Sequence, residues 1–482
     1  MINASVALVI LCVTLAAFAW IGFRAHFERD NLDDYIVARN SQPALTLGLN
    51  FLAASVGAWI LFAPPEVGAF VGLVGVIGYA LGAAAPMLAF AVLGGRMRRL
   101  SPSGHSLTEF VRLRFGRLFH VYIVGLSLMY MLLFVTAELT AVGAVMAILA
   151  GAHVRLTIVL VAVVTVAYTA YGGLRASMRT DSWQAWLVLA LVSLAGVAIV
   201  SNLSSPVDAF KDSGLLSINR VGVEAAITLV LAVTAANIYH QGYWQRVWAA
   251  RDTRALWGGA WLGSAMIIPV LLVVGVLGIL AAGAGLDLGT PPAPFFALLV
   301  GLPVWISAAV LVLGVALVAS SVDTLENAMA ALVVVERPSL SLAGARVVTV
   351  LLMVPAVVVA WQGYSVLRLF LIADLLCASA VVPALFSLWR RATPAGALFG
   401  SIAGLIGAVL PGIISTGSLV DGIERATFPG ATPTLPPFLG ALIASTVVAV
   451  IVSLAGRSET DLAKVGEQLP ALSGGAGAAP GG

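Results

Sequence analysis

The residues best suited to chemistry lie in an apolar stretch, LVASSVDTLENAMA, where Ser320, Ser321, Asp323, Thr324 and Asn327 crowd a short run. Two adjacent hydroxyls, joined by backbone carbonyls of a broken helix, form an oxygen-only cage of the kind that hard cations such as sodium accept. Serines alone would more often serve close helix packing. Asp323 in the same turn favours a cation, because a carboxylate in hydrocarbon is expensive and faces a pathway or a partner. We expect Asp323 to be ionised and to couple cation occupancy to closure. If it carries a proton instead, the proton is the coupled ion.

The carbonyls would come from LGLNFLAASVGAWILFAPPEVGAFVGLVG, residues 47–75, which is apolar enough to cross a bilayer yet contains Pro64, Pro65, Glu66 and Gly68. Freed peptide groups cost several kcal/mol each in lipid unless they find partners, so a broken helix survives only when buried in protein or lining a cavity. A proline kink without a ligand is the plainer alternative. Asp181 and Gln184 lie one turn apart, with Arg175 or Arg179 as local partners for Asp181. Asn237, Tyr239, His240, Gln241, Tyr243 and Trp244 crowd another helix end and point to a polar cavity. Glu138 and Asp374 are expected to hydrogen-bond between helices.

These groups are carried by a polytopic membrane protein: 61% of the 482 residues are hydrophobic, 10% are charged and the mean hydropathy is +1.05. The formal charge of +3 is spread over short loops, so no nucleic acid partner is expected. Cys12 and Cys377 fall in apolar stretches, so neither a disulfide nor a metal site is expected. Arg24 follows the first apolar run and no basic residue precedes it, unlike a signal peptide. There is no nucleophile–base pair or phosphate loop, so an enzyme is disfavoured.

Hydropathy gives thirteen spans: 3–23, 44–72 (broken), 75–95, 119–149, 155–172, 177–200, 222–243, 255–283, 304–335, 345–361, 366–388, 395–416 and 436–456. Twenty of the 25 Lys and Arg residues fall on alternate loops that include Arg96, Arg98, Arg99, Arg246 and Arg251. The N-terminus is therefore expected outside and the C-terminus inside. The segment 106–119 reads as an interfacial helix on the inner face, 291–302 as a short helix on the outer face, and 457–482 as a disordered tail. The regions are then 1–43, two five-span blocks at 44–200 and 222–388, and two accessory spans at 395–456. An odd number of crossings inserts the second block upside down, as an inverted repeat requires. No soluble domain is legible, which argues against a membrane-embedded sensor.

Four segments carry a resemblance: DDYIVARNSQPALTLGLNFLAASVGAWILFA (33–63), AYTAYGGLRASMRTDSWQ (167–184), HQGYWQRVWAARD (240–252) and ALVASSVDTLENA (316–328). In order and spacing the chain resembles the solute:sodium symporter family. The resemblance implies an inverted five-plus-five helix fold with a broken first core helix (LeuT-like), alternating access, and sodium as the coupling ion. It places sodium on carbonyls of Ala53, Val56 and Leu317 and on Ser320 and Ser321, with Asp181 beside a second cation. SVGAWIL looks like the proline-transporting branch of prokaryotic members, although Ser55 stands where that branch has an aspartate.

The substrate is expected among Ser55, Gly57, Trp59, Ile60, Asn237 and Gln241. Trp59 and Ile60 stand where the sugar branch has polar side chains, and unpaired sugar hydroxyls would be costly there. A small solute with one polar head fits better: an amino acid, a short carboxylate or a urea-like amide. A monomer in the plasma (inner) membrane is expected, with sodium, the solute and the lipid bilayer as partners.

Overall fold

The computed structural model describes residues 2–24, 36–337, 340, 342–456 and 459–468, and among these the chain is all helical apart from an isolated bridge between Gln42 and Ala250. Among the described residues, 11 helices are long and apolar enough to cross a membrane, and a pair bent by 60° forms one more span. A shorter apolar helix, Val347–Ala360, matches the stretch read as 345–361.

In order, the elements are α1 (Ala4–Arg24), α2 (Ala44–Ser55), α3 (Ala63–Phe70), α4 (Leu73–Leu100), α5 (Leu107–Ala150), α6 (Val154–Asn202) and α7 (Arg220–Asn237). They continue with α8 (Gln241–Ala249), α9 (Thr253–Gly283), α10 (Val304–Glu336), α11 (Leu342–Ala360), α12 (Val366–Leu385), α13 (Pro394–Thr416), α14 (Leu435–Ala455) and α15 (Leu462–Gly466).

The first core span does break, but at Val56 and Gly57 rather than at the prolines. Val56 is extended (φ −101°, ψ 132°), as is Gly57 (φ −137°, ψ −175°), and a 3-10 turn over Ala58–Leu61 leads into α3. Pro64 and Pro65 open α3, where a missing N–H removes no helical bond. They start the outer arm and do not make the break.

A second break is absent from the hydropathy reading. The span drawn as 222–243 ends its helix at Asn237 and restarts at Gln241, with Trp244 and Trp248 fully buried beyond it. The two broken pairs, α2/α3 and α7/α8, open the two halves of the inverted repeat.

The helical backbone of α6 runs over Val154–Asn202 and contains two span-length stretches, Val154–Tyr171 and Ser177–Asn202. Tyr168 and Thr180 both donate to Asp323. On a straight rod they would stand about 18 Å apart, beyond the joint reach of the two side chains. The two stretches therefore fold back against one face of α10.

The segment 106–119 is a separate amphipathic turn set. Ser106 and Glu109 form a reciprocal capping box, and Gly116 at φ 78° breaks the backbone before the span proper. Within 291–302 a single turn, Pro294–Ala297, puts Phe296 against Phe62, with ring centroids 5.0 Å apart. Part of the tail read as disordered is ordered: Leu462 and Val465 are buried, and Thr460 N–H donates to the Arg390 carbonyl. Apolar side chains there have a surface to cover. The segment SGGAGAAPGG, with Arg29 and Arg457 and the side chains of Arg175 and Arg346, lies outside the described residues.

The outer arm α3 is laid on α9 through glycines. A Cβ at Gly68 would fall on the Gly275 carbonyl, and one at Gly278 would fall on the Pro65 carbonyl. Close approach of this kind is how small residues join membrane helices. Gly278→Ala should lower the melting temperature of the purified protein by the equivalent of about 1–3 kcal/mol of overpacking. Gly125→Ala, where a Cβ meets nothing within 4 Å, should leave it unchanged.

Candidate functional site

The break must satisfy peptide groups that α2 and the following turn release. Glu138 of α5, completely buried, accepts the Ala58 N–H at 2.7 Å. A carboxylate at the start of a helical turn also meets the positive end of its dipole. Gly57 makes the approach possible, since a Cβ there would land on the Glu138 carboxylate. Glu138 thus bonds between helices, as expected, with the backbone of the break as its partner.

One turn below, α10 presents Ser320 and Ser321 to the same break. Ser320 Oγ lies 3.5 Å from the Ala53 carbonyl and donates to Asp181 Oδ1 at 3.0 Å. Ser321 Oγ is buried and has no hydrogen-bond partner among the described residues. An unpaired buried oxygen calls for a partner, which an ion or a water can supply. The Ala53 carbonyl, both hydroxyls and the neighbouring carboxylate are hard oxygen donors that suit sodium. Leu317 is one turn above Ser321 on α10, and Val56 supplies extended backbone beside Ala53.

Asp181 has a partner that the sequence reading placed elsewhere. Arg246, read as a basic residue of an inner loop, is completely buried in α8 and donates to Asp181 Oδ2 at 2.6 Å. It also donates to the Gly242 carbonyl at 2.9 Å and to Thr324 Oγ1 at 3.2 Å. Arg179 is exposed and not paired with it. Burial of α8 behind the second break brings this guanidinium inward.

Asp323 faces away from the break. It accepts Tyr168 at 2.8 Å, Ser177 at 2.9 Å and Thr180 at 3.1 Å, so three hydroxyls compensate it. Ser177 Oγ also lies 3.3 Å from Thr324 Oγ1, which links this group to the Asp181 cluster.

A cavity opens on the other side of the break, lined by Ser55, Trp59, Tyr79, Tyr130, Phe134, Asn237, Tyr243, Phe370 and Asp374 among others. Trp59 stacks on Tyr79 at 5.5 Å and meets Phe370 edge-on at 5.7 Å. Of the residues expected to hold substrate, Ser55, Trp59 and Asn237 reach this cavity. Gly57 is occupied by Glu138, Ile60 is sealed in the core, and Gln241 donates to the His105 carbonyl at 2.6 Å. Asp374, expected to bond to another helix, lines the cavity instead. The i, i+4 spacing of Phe370 and Asp374 could have revealed their common face.

Asp181→Asn leaves Arg246 buried without its counter-charge, a loss on the order of 3–5 kcal/mol. Thermal melting in detergent should show a large drop for Asp181→Asn and partial recovery in Asp181→Asn/Arg246→Gln. Additive losses in that cycle would mean that the two groups are not paired.

The model of the Sodium:solute symporter family matches residues 35–404. A spermidine transporter of Candida albicans is 32% identical over 359 residues, covering 73% of this chain and 69% of that protein. A urea active transporter of Saccharomyces cerevisiae is 30% identical over 121 residues, covering 25% of this chain and 16% of that protein. Among solved structures, a Na+-coupled sialic acid symporter in a substrate-bound outward-open state has a TM-score of 0.70 at 15% identity, over 92% of this chain and 98% of that one. Inward-facing Mhp1 has a TM-score of 0.54 at 15% identity, over 92% and 97%. These likenesses show a LeuT-type transporter fold. With two broken core helices, an inverted repeat and a family match spanning most of its length, the chain is a secondary transporter and belongs to the sodium:solute symporter family.

Proposed function

We propose that this transporter couples entry of a small organic solute to sodium by alternating access. Sodium sits between the break of α2 and helix α10, on the carbonyls of Ala53, Val56 and Leu317 and the hydroxyls of Ser320 and Ser321. The observation that carries this reading is the approach of Ser320 Oγ to the Ala53 carbonyl at 3.5 Å, beside the unpartnered Ser321 Oγ. Sodium there would draw α2 and α10 together, and the solute cavity begins two residues along at Ser55. Asp181 lies against Ser320 and shares its charge with Arg246, so a second cation near Asp181 competes with the guanidinium. Asp323 is read as a coupling group: the Ser177–Thr324 contact connects it to Asp181.

The alternating distribution of basic loops supports an outside N-terminus and an inside C-terminus in the plasma membrane, and nothing in the reading requires more than a monomer. Inward movement of one cation then gains about 2.3 kcal/mol per 100 mV of inside-negative potential. The relatives named for spermidine and for urea make an organic nitrogen compound the first solute class to try. A proton-coupled cycle through Asp181 or Asp323 is the competing scheme.

Proteoliposomes containing the purified protein decide the coupling ion. Uptake should require external sodium and fail with potassium at the same membrane potential. Ser321→Ala should raise the half-saturating sodium concentration about tenfold, the effect of removing one charge-assisted ligand. Uptake that persists without sodium and rises as external pH falls would replace sodium by the proton.

A further inference from the structure

The carboxylate of Asp374 is the odd group in the solute cavity. It is only 6% exposed, and among the described residues it has no hydrogen-bond or ion-pair partner. The other buried acids near the core are served: Glu138 by the Ala58 N–H, Asp181 by Arg246 and Ser320, Asp323 by three hydroxyls. An isolated charge in a dry site is among the most expensive arrangements a fold can hold, and such a group is normally paired or neutralised. Asp374 is directed at a cavity, so its partner can come from outside the protein.

The walls define that partner. Trp59, Tyr79, Tyr130, Phe134 and Phe370 offer aromatic rings, and ring faces attract cations. The remaining polar groups are uncharged: acceptor oxygens stand beside the Trp59 Nε1–H, which has no partner among the described residues. Asn237 Nδ2 gives one hydrogen to the Val233 carbonyl, and its side-chain oxygen remains free to accept. Ser55 Oγ donates to the Phe51 carbonyl, so Tyr243 donates to Ser55 and leaves its own oxygen to accept. No Lys, Arg or His lines the cavity, so a carboxylate or phosphate group would find no counter-charge.

We propose that the solute is an organic ammonium ion, with its charged nitrogen held against Asp374 inside the aromatic walls. Asp374 is then the specificity-determining residue of the transporter. A neutral amide leaves Asp374 unpaired, and a simple carboxylate is repelled by it. The inference rests on the reading of the protein as a sodium-coupled symporter, and the two fail separately in one experiment.

Sodium-driven uptake of radiolabelled putrescine, spermidine and urea is measured in proteoliposomes, with sodium stabilisation of the purified protein followed by thermal melting. The amines should be taken up, and an excess of urea or propionate should not compete. Asp374→Asn, which preserves shape and removes charge, should reduce amine uptake roughly tenfold or more. Asp374→Glu should restore part of it. Sodium stabilisation should be the same in all three proteins, which also reports that the variants are folded.

Sodium-driven uptake of urea in preference to the amines, or undiminished amine uptake by Asp374→Asn, overturns the ammonium proposal and leaves the sodium reading intact. Amine uptake and Asp374 dependence without sodium stabilisation or sodium drive overturns the coupling and retains the ammonium site.

Discussion

The structure depends on peptide groups that lose their helical partners at membrane depth. Between Ser55 and Ala58 the chain is extended, and water is not there to receive the freed N–H and C=O groups. One donor, the Ala58 N–H, is met by Glu138, and the glycine at 57 exists to let that carboxylate in. The Ala53 carbonyl is met only loosely by Ser320, at 3.5 Å. The break is thus held by one firm partner, Glu138, and one long contact from Ser320.

The second break serves a different purpose. By ending α7 at Asn237 and restarting at Gln241, the chain turns α8 inward and buries Arg246. That guanidinium neutralises Asp181, which touches Ser320 on α10. The cluster joins elements from both halves of the repeat: α6 from the first, α8 and α10 from the second. Buried ion pairs add little net stability over apolar contacts but penalise loss of either member. Such a pair suits a joint that must keep its register while other helices move.

On the cavity side the balance of groups is reversed. Hydroxyl and carboxylate oxygens of α10 and α6 line one side of α2, and aromatic rings with a lone carboxylate line the other. Ser55 stands between them, tied to Phe51 and Tyr243. The two buried acids beside the segment differ in the same way: Asp181 is already neutralised by Arg246, whereas Asp374 faces the cavity without a partner among the described residues.

Hydropathy alone determined the membrane class and the thirteen apolar stretches, because crossing a bilayer sets a minimum length that composition reveals directly. The count and order of spans were enough for the inverted repeat, and Ser320, Ser321 and Asp181 were visible as polar types that hydrocarbon does not tolerate idly. Pro64 and Pro65 pointed too far along the chain for the first break, since proline interrupts a helix interior but is harmless at a helix start, whereas the family resemblance put the unwound carbonyls at Ala53 and Val56, beside the break. The second break carried no proline and was invisible.

Partner choice was likewise undecidable from the chain. Arg246 read as a loop residue until α8 folded inward, and Asp323 and Asp374 read alike until three hydroxyls closed on one and none on the other. Which buried charge is satisfied depends on residues distant in sequence, and only the packing of helices from both halves brings them within hydrogen-bond reach.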